Sequence, residues 1–355
     1  MARIGIIGTG WGARVQVPAF RAAGHEVVAI AGRHSDRTKT VAEKLGVGRA
    51  AASWEEIVGA DDIDLVTIVT PPSEHRAMAI AALEAGKHVV SEKPTAMNAQ
   101  EAAEMLAAAD RREGQIAIID HELRFLPSWL AARERRDEIG AIRHAELRYT
   151  SPSRGDANRP WNWWSDAAKG GGVLGAIGSH LVDALRYFIG EVVEAQGALA
   201  TFVRQRPAEE GEMREVTTDD FAVATLRMEG GALAQMTLSV VAGVDEPTTL
   251  TFHGEKGAMR LTGEILSMAP PGGEWREVFR GEAKEMPGNS PGGPFGSGTL
   301  HLARALERAI DRGDLEALAP AATFFDGLQQ QRILDAIRSS HSAGGAWTSV
   351  RKSEE

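Results

Sequence analysis

The sequence contains no cysteine. This absence excludes disulfides, thiolate metal sites, iron–sulfur clusters and cysteine nucleophiles. The sequence also lacks a run of about 18 uninterrupted apolar residues, which is close to the minimum for a membrane-spanning helix. The N-terminus enters an apolar strand at Arg3 without a basic region followed by a long apolar stretch, so nothing there is typical of a secretory signal. We therefore expect a cytoplasmic protein without a membrane partner.

Positive charge is in deficit along the chain. Lys and Arg number 39 against 49 for Asp and Glu, which gives a formal net charge of −10. Such a chain has no overall attraction for nucleic acids. No internal repeat is visible, and no close spacing of His, Asp and Glu is typical of a metal site. We therefore expect a small-molecule ligand, no nucleic-acid partner and no metal.

The first third of the chain alternates strand-like and helix-like segments. The 355 residues are 43% apolar, enough for a large core, and two domains are expected because single cores stop growing near roughly 250 to 300 residues. Repeated βα units are typical of a parallel, doubly wound sheet. The predicted strands are Arg3–Ile7, Val27–Ala31, Leu65–Val69, His88–Ser91 and Ile116–Asp120.

The pattern changes from about Ile142, where strand-like runs outnumber helical segments. Short glycine turns between neighbouring runs, as at Glu229-Gly230-Gly231, favour an antiparallel sheet. Four predicted strands of this sheet are Val192–Val203, Phe221–Arg227, Ala232–Val241 and Thr248–His253.

The segment Met268–Gly298 is rich in Pro and Gly. We predict a long loop there, either a lid over a site or a surface excursion. Two helices are predicted after it, at His301–Arg312 and Ala321–Ser339.

A glycine turn follows the first predicted strand. It reads Gly8-Thr9-Gly10-Trp11-Gly12-Ala13, a form of the G-x-G-x-x-A dinucleotide fingerprint. The first glycine permits a tight turn, the second lets backbone approach the pyrophosphate, and a helix N-terminus then faces the phosphates. Because the motif lies between a predicted strand and a predicted helix, it predicts dinucleotide binding. The predicted contacts are Gly8, Thr9, Gly10, Trp11 and Gly12.

The end of the second strand predicts which dinucleotide binds. An acidic residue at this place holds the ribose 2′-hydroxyl of NAD, whereas this chain has Gly32 followed by Arg33. Gly32 removes the carboxylate that would repel a 2′-phosphate, and Arg33 and Arg37 offer donors to one. We therefore predict a preference for NADP(H), with NAD(H) as the alternative. The competing interpretation is that both arginines are merely solvated.

Four motifs resemble the Gfo/Idh/MocA family of glucose–fructose oxidoreductase-like and inositol dehydrogenase-like enzymes. They are the glycine turn, Thr70-Pro71-Pro72 followed by His75, the string AGKHVVSEKP with Glu92-Lys93-Pro94, and GGGVLGAIGSHLVD from Gly170 to Asp183. The resemblance covers almost the whole chain. It implies an α/β Rossmann domain at residues 1–123. It also implies an α+β C-terminal domain at 124–355 for substrate binding and oligomerisation, with a large open, mostly antiparallel sheet that pairs homodimers or homotetramers.

The resemblance also implies site residues. Lys93 matches a family lysine near the nicotinamide and the reacting oxygen, where an ammonium stabilises developing negative charge. His180 matches the family histidine and is the predicted acid/base, because an imidazole exchanges protons near neutral pH. Further predicted cofactor contacts are Thr70, Pro71, His75, Glu92 and Lys93 itself.

The chain departs from the family pattern at Ala176. Family dehydrogenases usually have Asp there, four residues before the histidine, so the Lys–Asp–His set is incomplete. Glu122 and Asp166 are the candidates for a replacement. The other predicted substrate contacts are His121, Trp163 and Asp183, and Asp183 is equally a structural anchor.

These motifs predict a dehydrogenase or reductase that uses NADP(H) and acts on a hydroxyl or carbonyl of a sugar, inositol or related polyol. One alternative is a non-catalytic, dinucleotide-dependent ligand-binding or regulatory protein, favoured by the missing Asp. Another is a glycoside hydrolase that uses its cofactor transiently, an exception to two-carboxylate chemistry.

Overall fold

A computed structural model describes residues 1–208, 211–282, 286–287 and 290–350. The chain forms two compact units. The first contains Met1–Ala96, Gln100–Leu126 and Ala283–Leu328, and the second contains Met97–Ala99, Pro127–Glu282 and Gln329–Glu355. Residues 290–328 thus lie in the first unit, whereas the sequence placed everything after residue 123 in the second domain.

The strands are β1 (Arg3–Ile7), β2 (Glu26–Ala31), β3 (Arg49–Ala51), β4 (Leu65–Ile68), β5 (His88–Ser91), β6 (Ala117–Ile119), β7 (Ile142–Thr150), β8 (Val192–Ala200), β9 (Gln205–Pro207), β10 (Met213–Glu215), β11 (Phe221–Met228), β12 (Leu233–Ser239), β13 (Glu246–Gly254), β14 (Ala258–Thr262), β15 (Ile265–Ala269), β16 (Arg276–Arg280), β17 (Ala322–Thr323) and β18 (Thr348–Ser349). The helices are α1 (Val17–Ala22), α2 (Ser35–Leu45), α3 (Trp54–Val58), α4 (Pro72–Glu84), α5 (Ala99–Asp110), α6 (Pro127–Arg135), α7 (Ser179–Phe188), α8 (Gly293–Arg312) and α9 (Phe324–Ser342).

The first unit is built on a seven-stranded sheet in the order β17-β6-β5-β4-β1-β2-β3. The strands β1 to β6 pair in parallel, and β17 pairs antiparallel with β6. Parallel strands covered on both faces read as continuous apolar runs, which is why Ile4, Ile30 and Leu65 are fully buried. The order reverses between β1 and β4, and the crevice at such a reversal is where open α/β sheets bind ligands.

The α8 helix belongs to this first unit and is longer than predicted. It begins at Gly293 rather than at His301, and its Leu302 and Leu306 join the core that contains Phe20. Gly298 lies inside this helix, and a Cβ added there would lie 2.6 Å from the carbonyl oxygen of Glu122. Close packing therefore explains why the helix contains a glycine at this position. The predicted loop Met268–Gly298 is therefore wrong at this helix and at β16, while residues 283–285 and 288–289 lie outside the described residues.

The second unit is built on a nine-stranded sheet in the order β16-β15-β14-β13-β7-β12-β11-β8-β18. Every neighbouring pair is antiparallel except β7 and β12, which are parallel. One face is buried: an added Cβ on Gly197 would lie 2.7 Å from Ile337 of α9, and Leu147 and Leu250 are also buried. The fold class expected from the sequence, including the mostly antiparallel sheet, is confirmed.

Among the described residues, no helix is both long enough and apolar enough to cross a bilayer.

Candidate active site

The segments that follow β1, β4, β5 and β6 are held by the sheet itself. Parallel strands end at one edge, and the first residue beyond each of these strands still donates a backbone hydrogen bond to a neighbouring strand. The donations are Gly8 to Ala31 at 2.8 Å, Val69 to Ile7 at 2.8 Å, Glu92 to Ile68 at 2.9 Å and Asp120 to Ser91 at 2.8 Å. The side chains at this edge are therefore positioned by the rigid core rather than by free loops.

The glycine turn has the geometry that a dinucleotide needs. Gly8 has φ of 137° and its added Cβ would overlap the carbonyl oxygen of Val69, so only glycine fits there. No described atom lies within 4 Å of a Cβ added to Gly10, which leaves that backbone open to a pyrophosphate. A Cβ added to Gly12 would lie 2.8 Å from Ile6, so this glycine brings helix and strand together. These residues fit a dinucleotide.

Trp11 and Gly32 have packing roles beside the turn. Trp11 is half-buried against a cluster that contains Val15 and Leu300. A Cβ added to Gly32 would lie 2.6 Å from Thr9 Cγ2 and 2.7 Å from Thr38 Oγ1. Close packing against Thr9 and Thr38 therefore favours glycine at position 32. An Asp there would have to displace the Thr9 side chain.

Arg33 directly follows this glycine and precedes α2, and Arg37 lies in the first turn of α2. Both side chains are exposed, and neither forms an ion pair with a carboxylate among the described residues. Their charges are therefore available at the place where a 2′-phosphate would lie if the glycine turn binds an adenine dinucleotide.

Thr70 and Pro71 lie between β4 and α4, and His75 lies in the first turn of α4. His75 is fully buried, with Nε2 2.9 Å from the carbonyl oxygen of Thr70 and Nδ1 3.0 Å from that of Pro94. Burial lowers the pKa of His75, and a neutral imidazole donates from only one nitrogen. His75 thus links the segments after β4 and β5 from inside the core, and its contact with a cofactor stays a prediction.

The segment after β5 carries Glu92 and Lys93. The peptide between Lys93 and Pro94 is cis. Both side chains are partly exposed, and the Lys93 backbone N–H lies 3.3 Å from Glu92 Oε2. Glu92 is thus turned back towards its own backbone, at the sheet edge that carries the glycine turn.

A network of carboxyl groups surrounds this position. Gln16 Nε2 donates to Asp120 Oδ2 at 3.0 Å and lies 3.5 Å from Glu92 Oε1, so this amide lies between the two carboxyl groups. Burial, followed by repulsion from Asp120, raises the pKa of Glu92 to about 8. Burial also raises the pKa of Asp120 to about 6, although Gln16 and the Lys93 ammonium oppose the increase.

Glu122 adds a third carboxyl group to this network. It is 3% exposed, and burial followed by repulsion from Asp120 and Glu92 raises its pKa well above the usual range. Three acids so close together cannot all ionise. The cluster therefore retains protons at neutral pH and contributes less negative charge near Lys93 than its composition implies.

The sequence did not single out Gln16 or Asp120 as site residues. One signal was present, since Gln16 is a polar residue within the apolar run Val15–Val17 and is 1% exposed. Buried polar side chains require partners, and here the partner is Asp120.

The second unit contains the glycine motif that precedes His180. Gly172 has φ of 102°, and its added Cβ would overlap Asp219 Oδ1. The other oxygen of Asp219 accepts a hydrogen bond from Leu174 N at 2.7 Å. Asp219, which sequence reasoning missed, thus caps the turn that leads into α7, and burial raises its pKa.

His180 lies on α7 and is 2% exposed. Ala176 is buried in the π-helical turn Leu174–Gly178 just before this helix. Asp183 Oδ1 accepts a hydrogen bond from Gln330 Nε2 at 2.6 Å, and both residues are buried. This contact joins α7 to α9 and favours the structural interpretation of Asp183.

The remaining predicted substrate residues have different surroundings. Asp166 Oδ1 accepts from Ala168 N at 3.0 Å, so Asp166 caps a short turn. Trp163 is half-buried with its ring centroid 6.3 Å from that of Trp164, and His121 is buried in the first unit. The first unit contains Lys93, His121 and Glu122, and the second contains Trp163, Asp166, His180 and Asp183.

Comparison with known proteins follows the same division of the chain. A family model described as an oxidoreductase family with an NAD-binding Rossmann fold matches residues 2–120. A second model, the GFO/IDH/MocA C-terminal domain, matches residues 129–260. The chain belongs to the Gfo/Idh/MocA oxidoreductase family. The resemblance drawn from the sequence motifs and the prediction of a nicotinamide-dependent oxidoreductase are thereby confirmed.

Individual relatives cover nearly the whole chain. Glucose-fructose oxidoreductase domain-containing protein 2 of Xenopus laevis is 32% identical over 99% of this chain and 94% of its own. The solved structure of levoglucosan dehydrogenase in complex with NADH and L-sorbose is 25% identical, with a TM-score of 0.87 and 99% of both chains covered. An oxidoreductase domain protein from Kribbella flavida is 29% identical, with a TM-score of 0.86 and coverage of 99% of this chain and 100% of its own.

Proposed function

We propose that this family member transfers a hydride between NADP(H) and a hydroxyl or carbonyl carbon of a sugar, inositol or related polyol. The observation that carries the proposal is the position of Lys93 directly after β5, at the sheet edge where the glycine turn follows β1. The substrate class is supported by the solved levoglucosan dehydrogenase, which was found with NADH and L-sorbose.

The glycine turn Gly8–Gly12 would hold the pyrophosphate, and Arg33 and Arg37 would bind the 2′-phosphate. When bound, the nicotinamide supplies the acceptor or donor of the hydride. Arg33 and Arg37 are exposed and have no carboxylate partner in the described part of the chain. They favour the 2′-phosphate over a hydroxyl, because guanidinium–phosphate contacts are charge-assisted. NAD(H) is the alternative cofactor.

We assign Lys93 to the reacting oxygen, to which its ammonium donates a hydrogen bond as negative charge develops. We assign His180 the exchange of the hydroxyl proton. Asp166 and Asp183 both have structural hydrogen bonds, whereas Glu122 Oε2 is a buried oxygen with no hydrogen-bond partner among the described residues. Of the two candidates to replace the family Asp at Ala176, we therefore favour Glu122.

The test is absorbance at the reduced-nicotinamide band with NADP⁺ or NADPH and a panel of sugars, inositols and their keto forms. Lys93→Met should lower turnover by about 10²- to 10³-fold and His180→Ala by about 10²- to 10⁴-fold, both with NADPH binding retained. Lys256→Met, which removes an exposed lysine of the second unit, is the control.

The double variant shows whether both side chains act on one substrate oxygen. If both side chains act on one oxygen, the fold loss of turnover in the double variant is smaller than the product of the fold losses in the two single variants. Unchanged turnover in either single variant would refute the role of that residue.

A second candidate function is a regulatory protein that binds the dinucleotide without catalysis. The observation in its favour is the buried, apolar Ala176 in place of the family carboxylate. Tight NADPH binding by the wild-type chain without turnover, and without release of sugar from glycosides, would support it; release without net redox change would support the hydrolase instead. The cytoplasmic location and the homodimer or homotetramer stay predictions, and sedimentation velocity tests the second.

A further inference from the structure

Two histidines and a glutamate meet on the sheet of the second unit. In the antiparallel pair β7 and β13, His144 lies directly opposite His253, and Glu146 follows two residues later on the same face. The two imidazole centroids are 4.4 Å apart and the rings are within 13° of parallel. One ligand atom from each of the three side chains lies within 4.8 Å of the other two.

We propose that His144, Glu146 and His253 form a binding site for a divalent zinc ion, with water completing the coordination. Two imidazole nitrogens and one carboxylate oxygen are a donor set that zinc accepts, whereas Mg²⁺ and Ca²⁺ prefer oxygen alone. Zinc bonds of about 2.0 to 2.2 Å in a tetrahedral arrangement place the ligand atoms about 3.4 Å apart. The present separations of up to 4.8 Å are longer than this, so binding would draw the three side chains together, and His144 and Glu146 are exposed.

The surroundings of His253 favour its neutral imidazole. Burial, then the proximity of His144 and Arg260, lowers the pKa of His253, while Glu146 opposes this effect. A neutral imidazole is the form that binds a metal. Stacked rings at this distance also disfavour two imidazolium charges.

Arg260 is a cation close enough to lower the pKa of His253, and its charge would also repel a bound metal ion. Its Nε donates to Thr251 Oγ1 at 3.3 Å, and its guanidinium lies 4.0 Å from the Trp275 ring centroid. These contacts hold the guanidinium in place without occupying the nitrogens of either histidine. Because the charge of Arg260 repels a metal ion, a variant that removes this charge should bind zinc more tightly.

The linear sequence predicts no metal site at these positions, because the two histidines are far apart along the chain. Only the register of β7 against β13 brings them together. The site is independent of the proposed hydride transfer, since none of its residues belongs to the predicted catalytic or cofactor set.

The experiment titrates the full chain, first stripped with a chelator and dialysed, with Zn²⁺ by calorimetry and with Co²⁺ by visible absorption. We expect one ion per chain. Affinity should fall at least about tenfold in His144→Ala and His253→Ala, fall in Glu146→Gln, and rise in Arg260→Gln. His34→Ala removes an exposed histidine of the first unit and should leave binding unchanged.

Imidazole carbon–proton NMR signals provide a readout that does not depend on affinity. Those of His144 and His253 should shift together on addition of Zn²⁺, and that of His34 should stay. Equal affinity in wild type and both histidine variants, no binding at all, or one ion per two chains would overturn the proposal.

Discussion

The edge of the first unit's sheet and the exposed face of the second unit's sheet concentrate polar groups in different ways. At the parallel edge, Glu92 follows β5, and Asp120 and Glu122 follow β6. Asp120 and Glu122 are buried and Glu92 is half-buried. On the mixed sheet, His144 and Glu146 alternate with buried Ala145 and Leu147 and stay in solvent. Parallel sheets are covered on both faces, so polar side chains gather at strand ends, whereas antiparallel sheets expose a whole face. The first arrangement shifts the pKa values of its carboxyl groups strongly, and the second leaves the proposed metal-ligating side chains accessible.

The largest expected effect concerns backbone packing at the edge. Gly8→Ala should destabilise the protein by more than about 2 kcal/mol, because an L residue is strained at this φ and its Cβ overlaps Val69. Gly231→Ala also has positive φ, at 86°, but meets no described atom within 4 Å in the hairpin of the second unit. Its cost should be smaller, about 1 kcal/mol. Urea denaturation measures both, and equal costs would contradict a tightly packed edge.

The next largest effect is on the pH dependence of folding stability, which should have opposite signs in the two regions. The pKa of Glu92 is raised to about 8, so its contribution to stability is complete below about pH 4 and is lost as pH rises towards 8. Glu92→Gln should remove this loss, which amounts to at most about 1.4 kcal/mol per pH unit for one group.

His253 on the exposed face should behave in the reverse direction. Its lowered pKa means that the unfolded chain takes up the proton first, so stability is lost as pH falls below about 6.5. His253→Gln should flatten that acidic limb and leave the alkaline limb unchanged. Urea midpoints between pH 5 and pH 8 check both variants, and parallel curves for wild type and Glu92→Gln would refute the buried-acid interpretation of the edge.

The smallest expected effect is on cofactor selectivity. Arg33→Ala and Arg37→Ala should each weaken NADPH binding by about fivefold to tenfold, since exposed charge-assisted contacts contribute about 1 kcal/mol, and should leave NADH binding unchanged. Arg143→Ala removes a comparable exposed arginine from the second unit's sheet and is the control. Nicotinamide fluorescence titration measures each affinity, and equal losses for NADPH and NADH would remove the support for a 2′-phosphate site.

Much of the first unit was predictable because its signals are local. The apolar runs predict β1 and β5 at their observed bounds, and the glycine turn predicts an open backbone at Gly10. Each of these signals depends on neighbours within a few residues, so the sequence displays it directly.

Contacts between distant segments were not predictable in the same way. The sequence placed α8 after a loop that ends at Gly298, yet Gly298 lies inside this helix because it packs against Glu122 on another segment. The sequence did not predict that His75 lies between the backbone carbonyl groups of Thr70 and Pro94. The residues around Gly298 and His75 in the sequence do not indicate which distant segment each of them contacts.

The sequence by itself determined the two kinds of sheet, the glycine turn and the family motifs, since strand period, glycine placement and motif spacing are properties of short stretches. Only the tertiary structure decided that Gln16 pairs with Asp120, that three acids lie at one sheet edge, and that His144 lies opposite His253. The reason is physical. Burial and strand register are set by the whole fold, and they control which charges are removed from water and which side chains come within bonding distance.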